Sequence, residues 1–267
     1  MKPVLILGVG PAGLMAAHAC KLKGVPFSIV GNGGKSVIGG AQFLHAAVPL
    51  LTSDAPDGFL TYHVAGHESG YKEKVYGDSD VPFVSMGRVK DDERVPIWSM
   101  QRAYDLLWND IAGGGFSVTQ ANVTPEWVIS EIEADRWRYI VSTIPRHQMC
   151  LSVAGLIDGP AHSFTSQQIQ ISRECMLNYS GNMEESHIWY DGTRNVSWYR
   201  TSNIFGEGST EWGMRDLPYK TVAVRKPIST TCQCFNGKVM FTGRYGAWRK
   251  GILIHQAFAD TWRLIDR

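Results

Sequence analysis

The segment VLILGVGPAG, residues 4–13, constrains the fold more than any other stretch of the chain. Val4 to Leu7 is a continuous apolar run ended by glycine, the pattern of a short strand buried on both faces of a parallel sheet. Gly8, Gly10 and Gly13 follow at the GxGxxG spacing. The first permits a tight turn, the second lets backbone approach a pyrophosphate, and the third lets the next helix pack close to the sheet. Pro11 and Ala12 complete the loop, and the N-terminal N–H groups of the helix point at where phosphates would lie. Gly24 closes that helix and Phe27 to Val30 reads as a second parallel strand, so the motif has the strand, turn, helix, strand context it needs. A glycine-rich turn without a ligand is the bland alternative.

One residue type is missing. A dinucleotide site of this kind closes its second strand with a carboxylate that accepts hydrogen bonds from ribose hydroxyls, whereas this chain has Gly31 and then Asn32. Asn32 can replace the acid through its amide oxygen, or the space can admit a 2′-phosphate with Lys35 as counter-charge. The N-terminal stretch alone leaves FAD and NADP both open. Just beyond it, Gly39, Gly40, Ala41 and Gln42 form a second small-residue stretch that can run along an extended dinucleotide.

At 267 residues the chain has room for one substantial core and a small second lobe, which is short for separate FAD and NADPH domains. No apolar run approaches the roughly 18 residues that span a bilayer, and the chain opens on a strand, so no membrane partner and a cytoplasmic location are expected. Five cysteines, at 20, 150, 175, 232 and 234, suggest no disulfide framework. The Cys232-x-Cys234 pair lacks a second ligand cluster at a recognised spacing and reads as two partly buried thiols on a strand, with no metal expected. Charge is uneven: residues 1–135 carry 10 basic and 15 acidic side chains, residues 136–267 carry 16 and 10. A cationic second half suits an anionic substrate, unless the halves interdigitate.

Further along, FLTYHVAG alternates like a strand, and a helix starting near Ser99 places Tyr104, Leu107, Trp108 and Ile111 on one face. Thr124 and Pro125 make a well-formed helix start, and WRYIVSTIP reads as a buried strand returning to the first sheet. Residues 146–235 read as an aromatic, antiparallel substrate lobe. A strand from Val239 to Thr242 and a helix from about Gly251 to the end close the chain. The expected architecture is α/β: a Rossmann-like parallel-sheet domain from 1–145 and 236–267, with a mixed insertion at about 52–98, and the antiparallel lobe at 146–235.

The closing stretch FTGRYGAWRKGILIHQAFAD resembles the final segment of glutathione-reductase-type FAD proteins, especially the UDP-galactopyranose mutase and amine-oxidase group. VIGGAQ is similar to the Gly-Gly segment that such proteins place beside FAD. This resemblance implies FAD rather than NADP, with Gly243, Arg244 and Gln256 among the cofactor contacts. FLHAAVPLL, GYKEKVYG and GRYGAWRKGILIHQAF also look like compact FAD proteins of bacteriophages, some of which act in thymine hypermodification. That narrower resemblance implies an oxidoreductase or lyase in the host cytoplasm that trims a glycyl adduct on thymine in DNA, leaving an aminomethyl group and glyoxylate. A small amine is the other substrate class.

For such chemistry Arg249 is the candidate carboxylate anchor, with a solvated turn as the alternative, and His45 and His255 are candidates for accepting a proton or positioning water. Tyr245, Trp248, Trp198 and Tyr199 are candidate stacking surfaces for a base, with Arg200 near a phosphate. A single histidine or a strand aromatic is more often a core residue. Two other readings stay open: a mutase-type flavoenzyme acting on a nucleotide sugar, which the short length disfavours, and a nucleotide-binding module without catalysis.

Overall fold

The computed structural model describes residues 2–32, 34–35, 38, 42–77, 90–112, 118–177, 185–218 and 220–267. They form two compact units. Met1–Val37, Arg102–Ser166 and Pro227–Arg267 make the first; Ile38–Gln101 and Gln167–Lys226 make the second.

The first unit is built on a parallel sheet of five strands: β1 (Val4–Leu7), β2 (Phe27–Gly31), β6 (Val118–Gln120), β7 (Tyr139–Ser142) and β13 (Val239–Phe241), in the order β13-β7-β1-β2-β6. β1 is central, pairing Val4 with Phe27 on one side and Tyr139 on the other, and all four of its side chains are buried. The apolar run and the returning YIVS strand therefore take the places their sequences imply. Leu5, Leu7, Val30, Val128, Ile140 and Val239 form the core of this sheet.

Helix α1 (Pro11–Leu22) is buried continuously from Gly13 to Cys20 because it packs on β1 and β2 and also against α6 (Gln256–Ile265). Gly24 then turns the chain at φ +63°. Helix α4 (Pro125–Glu133) has Thr124 as its N-cap, the hydroxyl oxygen accepting from the Trp127 N–H at 3.3 Å. The apolar face of α3 (Met100–Leu107) runs on into one π-helical turn, Trp108–Ala112, with Tyr104, Leu107 and Ile111 fully buried.

The last helix begins later than its pattern suggests. Gly243–Ala247 forms a short helix, α5, Gly251 adopts φ +83°, and α6 starts only at Gln256, whose side-chain oxygen accepts from the Leu253 N–H at 2.7 Å. Two glycines break what would otherwise read as one apolar-periodic segment.

The second unit carries most of a larger sheet: β3 (Phe43–Leu44), β4 (Gly58–Gly66), β5 (Arg94–Ser99), β8 (Phe164–Ser172), β9 (Glu185–Gly192), β10 (Arg200–Ile204), β11 (Glu207–Gly213) and β12 (Val222–Thr230), in the order β12-β8-β11-β10-β9-β4-β5-β3. β8 and β12 carry the chain across the division between units. The register pairs are antiparallel except β4 with β9, which run parallel from Phe59↔Glu185 to Gly66↔Gly192. That pairing is why residues 38–101 join 167–226 in one unit, whereas the sequence boundaries set 52–98 apart from a lobe at 146–235.

Helix α2 (Glu68–Tyr76) lies directly on this sheet. A Cβ at Gly70 would fall 2.0 Å from the Gly192 carbonyl oxygen, and one at Gly213 would fall 2.4 Å from that of Lys74. Lys74 donates to the Asp191 carboxylate at 2.9 Å and to the carbonyls of Asp191 and Trp198 at 3.0 Å, fixing the helix to the sheet by its charged side chain as well.

On the same sheet His63 Nε2 and His187 Nδ1 are 2.9 Å apart, and both rings stack on Trp189. Burial lowers the His187 pKa, a charge on His63 lowers it further, and Glu185 opposes weakly. The unfolded chain therefore takes up a proton at His187 near pH 6.5 while the native state still refuses it. Stability is full above that pH and is expected to fall as the solution is acidified below it. His187→Gln should flatten this limb of a denaturation series between pH 7 and 5; an unchanged limb would assign it to other groups.

Candidate functional site

Three loops converge at the C-terminal edge of the parallel sheet in the first unit. They are the turn after β1, the exit of β7 and the start of α5, and glycine makes the convergence sterically feasible. A Cβ on Gly8, which has φ +107°, would lie 2.4 Å from Thr143 Oγ1, and one on Gly13 would lie 1.9 Å from the Gly8 carbonyl oxygen. One on Gly243, at φ +69°, would meet the Ala12 side chain at 2.7 Å, and one on Gly246 would meet the Ser142 carbonyl oxygen at 2.7 Å. Thr143 ties the loops together, its N–H and hydroxyl both donating to the Leu7 carbonyl at 2.8 and 3.0 Å.

Gly10 differs from all of these. Its φ of −71° is open to any residue, and no atom of the described residues lies within 4 Å of where its Cβ would be. Packing therefore explains Gly8, Gly13, Gly243 and Gly246 but leaves Gly10 unexplained, and among the described residues the space beside it is clear at the N-terminus of a 12-residue helix. Gly10 is also the N-cap and offers no side-chain acceptor, no acidic residue stands in the first turn, and Pro11 fills the first helical position. The first-turn N–H groups thus keep their donors and partial positive charge for something outside the helix. The fit to a diphosphate is direct.

At the end of β2 the missing acid has a steric reason. A Cβ on Gly31 would press on Val9, 3.1 Å from Cγ1 and 3.3 Å from the backbone nitrogen, so a carboxylate side chain there would push on the glycine turn itself. Asn32 follows in an exposed position. Lys35 is paired with Asp105 at 2.5 Å and lies 5.9 Å from the Tyr104 ring centre, so the cation invoked for a 2′-phosphate already has a carboxylate partner.

The closing segment contributes groups of mixed availability. Arg244 is half-buried on α5, and Arg249 is exposed two residues beyond that helix, held through its backbone N–H to the Arg244 carbonyl at 3.3 Å. Tyr245 is 38% exposed, and partial burial raises its pKa. His255, the residue before α6, is half-buried; burial lowers its pKa and keeps the ring neutral at pH 7, the form that accepts a proton. Gln256 uses its side-chain oxygen on Leu253, leaving its amide N–H₂ as the group to offer a ligand.

Trp248 does not offer the open ring expected of it. It is 1% exposed in a left-handed conformation, with its indole N–H donating to the Thr165 carbonyl at 3.1 Å and its ring edge-on to His147 and Phe164. In the second unit Trp198 and Tyr199 are likewise buried, and Arg200 turns its guanidinium to Glu211. Their stacking and phosphate roles give way to packing, because the faces and charges such roles need are already engaged. His45 is exposed in that unit, its ring 4.3 Å from Phe43, and Gln42 is exposed beside it. Gly39, Gly40 and Ala41 lie outside the described residues.

Sequence reading missed Ser142 and Thr143. Ser142 is fully buried at the end of β7 with its hydroxyl unpartnered among the described residues. The available signal was position: YIVST ends a parallel strand, and ligands of open α/β sheets bind beyond the carboxyl ends of strands.

No protein-family model matches the chain, and no curated protein matches it in sequence. Solved structures do match. Reduced UDP-galactopyranose mutase superposes with a TM-score of 0.54 at 13% identity, covering 100% of this chain and 93% of the mutase. The chain shares that fold. A triple mutant of the flavin-dependent brominase Bmp2 matches at TM-score 0.51 and 12% identity, over 99% of this chain and 79% of the brominase. A flavoprotein/dehydrogenase from Cytophaga hutchinsonii matches at TM-score 0.51 and 12% identity, over 97% and 76%.

Proposed function

We propose that the chain is an FAD-dependent enzyme. The observation that carries this reading is the space at Gly10, clear among the described residues, in a turn whose other glycines packing does explain and at the uncapped start of α1. FAD is favoured over NADP because the β13 to α5 segment returns to the glycine turn through Gly243 and Ala12, and because Lys35 is already paired. Bound there, FAD supplies an acceptor for a hydride. The α1 N-terminus and Gly10 would hold the diphosphate, Asn32 would take the ribose, and Arg244 and Gln256 would contact the cofactor.

Within that reading we favour oxidative cleavage of a carbon–nitrogen bond in a carboxylated secondary amine. Its most specific form is a glycyl group on thymine in phage DNA. The balance is closed: R–NH–CH₂–COO⁻, water and oxidised FAD give R–NH₂, glyoxylate and reduced FAD. Arg249 offers an exposed guanidinium for the carboxylate, Tyr245 a partly open ring for the base, and neutral His255 a proton acceptor. His45 is the second proton-transfer candidate. The support for this substrate is the resemblance of three segments to small phage flavoproteins, together with the availability of Arg249 and Tyr245.

A mutase-like reaction on a nucleotide sugar is the second reading, and one observation favours it: the match spans 93% of the mutase chain, which weakens the argument from short length.

The first test is chemical. Ligand released from purified protein by heat is identified by absorbance and mass; FAD is expected, and NADP, or no FAD even after soaking, rejects the proposal. Glyoxylate release from glycyl-thymine DNA then separates the amine reading from turnover of UDP-galactopyranose by the dithionite-reduced enzyme. On the productive substrate Arg249→Ala should raise KM about tenfold, the loss of one charged hydrogen bond, with FAD content unchanged. Unaltered kinetics would remove Arg249 from the site.

A further inference from the structure

Cys232 and Cys234 gain partners in the fold that their spacing does not reveal. Neither lies on a strand: both fall in the connection between β12 and β13. Cys150, directly after the 3-10 turn Arg146–Met149 that follows β7, and His162, twelve residues on, come to the same place. The four ligand atoms, three Sγ and one ring nitrogen, all lie within 4.8 Å of one another. Cys150 Sγ is 3.2 Å from His162 Nδ1 and 4.0 Å from Cys234 Sγ, and Cys234 Sγ is 3.6 Å from the same nitrogen.

A tetrahedron with Zn–S of about 2.3 Å and Zn–N of about 2.0–2.1 Å has edges of about 3.8 Å between sulfurs and about 3.6 Å from sulfur to nitrogen. The observed separations straddle those edges. Three thiols meeting one imidazole without a metal would place four weak hydrogen-bonding groups together in a core pocket lined by Leu151, Phe164 and Phe235.

We propose that Cys150, His162, Cys232 and Cys234 bind one zinc ion. The donor set, Cys₃His, is a closed structural one that leaves no position for substrate, and soft thiolates select zinc over magnesium or calcium. Three thiolates on a divalent ion leave one negative charge in excess, and a cation stands ready to offset it. The buried Arg146 guanidinium donates to the carbonyls of Cys232 and Cys234 at 3.3 and 2.9 Å and to Asn236 Oδ1 at 3.2 Å, so it also fixes the loop that carries two of the ligands. The ion would tie the segment after β7 to the turn before β13, the two strands paired at Ile140↔Val239.

The test is elemental analysis of protein purified without chelator, where about one zinc per chain is expected. Cobalt added after zinc removal under reducing conditions should give thiolate-to-metal charge transfer and the visible bands of a tetrahedral site. Cys234→Ser and His162→Gln should each lose that spectrum. Because either variant can fail to fold, wild-type chain stripped of zinc is the companion sample: readdition of zinc should restore its melting temperature. Folded wild-type protein that carries no metal, gives no cobalt spectrum and titrates with five free thiols overturns the proposal, as does a Cys150–Cys234 disulfide found by mass. Metal content is read whether or not flavin is bound, so this outcome is independent of the cofactor reading.

Discussion

Gly10→Val is expected to yield a folded protein that no longer retains FAD, whereas Gly13→Ala is expected to yield one that is markedly less stable. The two positions lie three residues apart in the same loop, yet their surroundings are opposite. At Gly10 the backbone conformation is ordinary and a Cβ meets no atom of the described residues, so valine is expected to cost the apoprotein little while filling the space assigned to the diphosphate. At Gly13 even one methyl would fall 1.9 Å from the Gly8 carbonyl, and backbone cannot swing away as a flexible side chain can. Helix α1 must then move off β1, at about 3 kcal/mol judged by other overpacked cores. Thermal melts of the apoproteins and the flavin content of purified samples read the two effects separately. Normal FAD retention by Gly10→Val would end the assignment of this loop to the cofactor, and an undisturbed melt for Gly13→Ala would show that the helix is not held where the structure puts it.

The second large effect is expected at Glu211. Its buried carboxylate accepts from Tyr199 Oη at 2.6 Å, from Lys226 Nζ at 2.5 Å and from the Arg200 guanidinium. Burial alone would raise its pKa, but Arg200 and Lys226, with the hydrogen bonds from Lys226 and Tyr199, pull it down to about 2. Glu211→Ala leaves two cations and a phenol without their shared acceptor, and removing one side of a buried ion pair costs about 3–5 kcal/mol. The comparison is Glu185→Ala: Glu185 pairs with Arg94 at 3.6 Å where both side chains are about half exposed, and a surface pair of that kind is worth about 0–1 kcal/mol. Urea denaturation of both variants decides the matter. A loss at Glu211 no larger than at Glu185 would mean that water solvates the cations.

The same carboxylate has an acid limb of known sign. Between its ordinary value of 4.5 and the native value of about 2, the unfolded chain binds a proton that the native state refuses. This stabilisation is complete above pH 4.5 and disappears as the pH falls through about 2.

What could be read in advance followed from local rules. The GxGxxG turn, the Thr124 cap with Pro125, the apolar strand at residues 4–7 and the returning YIVS strand each carry their signal within a few residues, and the structure places all of them as read. What could not be read depended on distant partners. Trp198, Tyr199 and Arg200 sit on a segment whose aromatic pattern suits an open face and a core equally, and partners far along the chain decide for the core: Glu211 for Tyr199 and Arg200, and Lys74 at the Trp198 carbonyl. Glu211 itself carries no local mark. Cys232 and Cys234 find Cys150 and His162 across some eighty residues, a distance at which ligand spacing has no meaning. Gly31 shows the same limit in reverse: its lack of an acid is plain in sequence, but the reason, pressure on Val9, exists only once β1 and β2 are paired.

The packing of α1 on α6 has a consequence for the order of assembly during synthesis. Helix α1 leaves the ribosome long before α6, yet its outer face meets Phe258 against His18, and Lys23 beside it reaches both Asp266 and the Trp262 ring. β7 likewise waits for β13 on its far side. A nascent chain therefore exposes an apolar βαβ unit until α6 is made, and the first unit closes only after residue 265 has emerged. Such late, long-range closure slows folding and leaves sticky surface on show, the condition in which a growing chain most depends on chaperones.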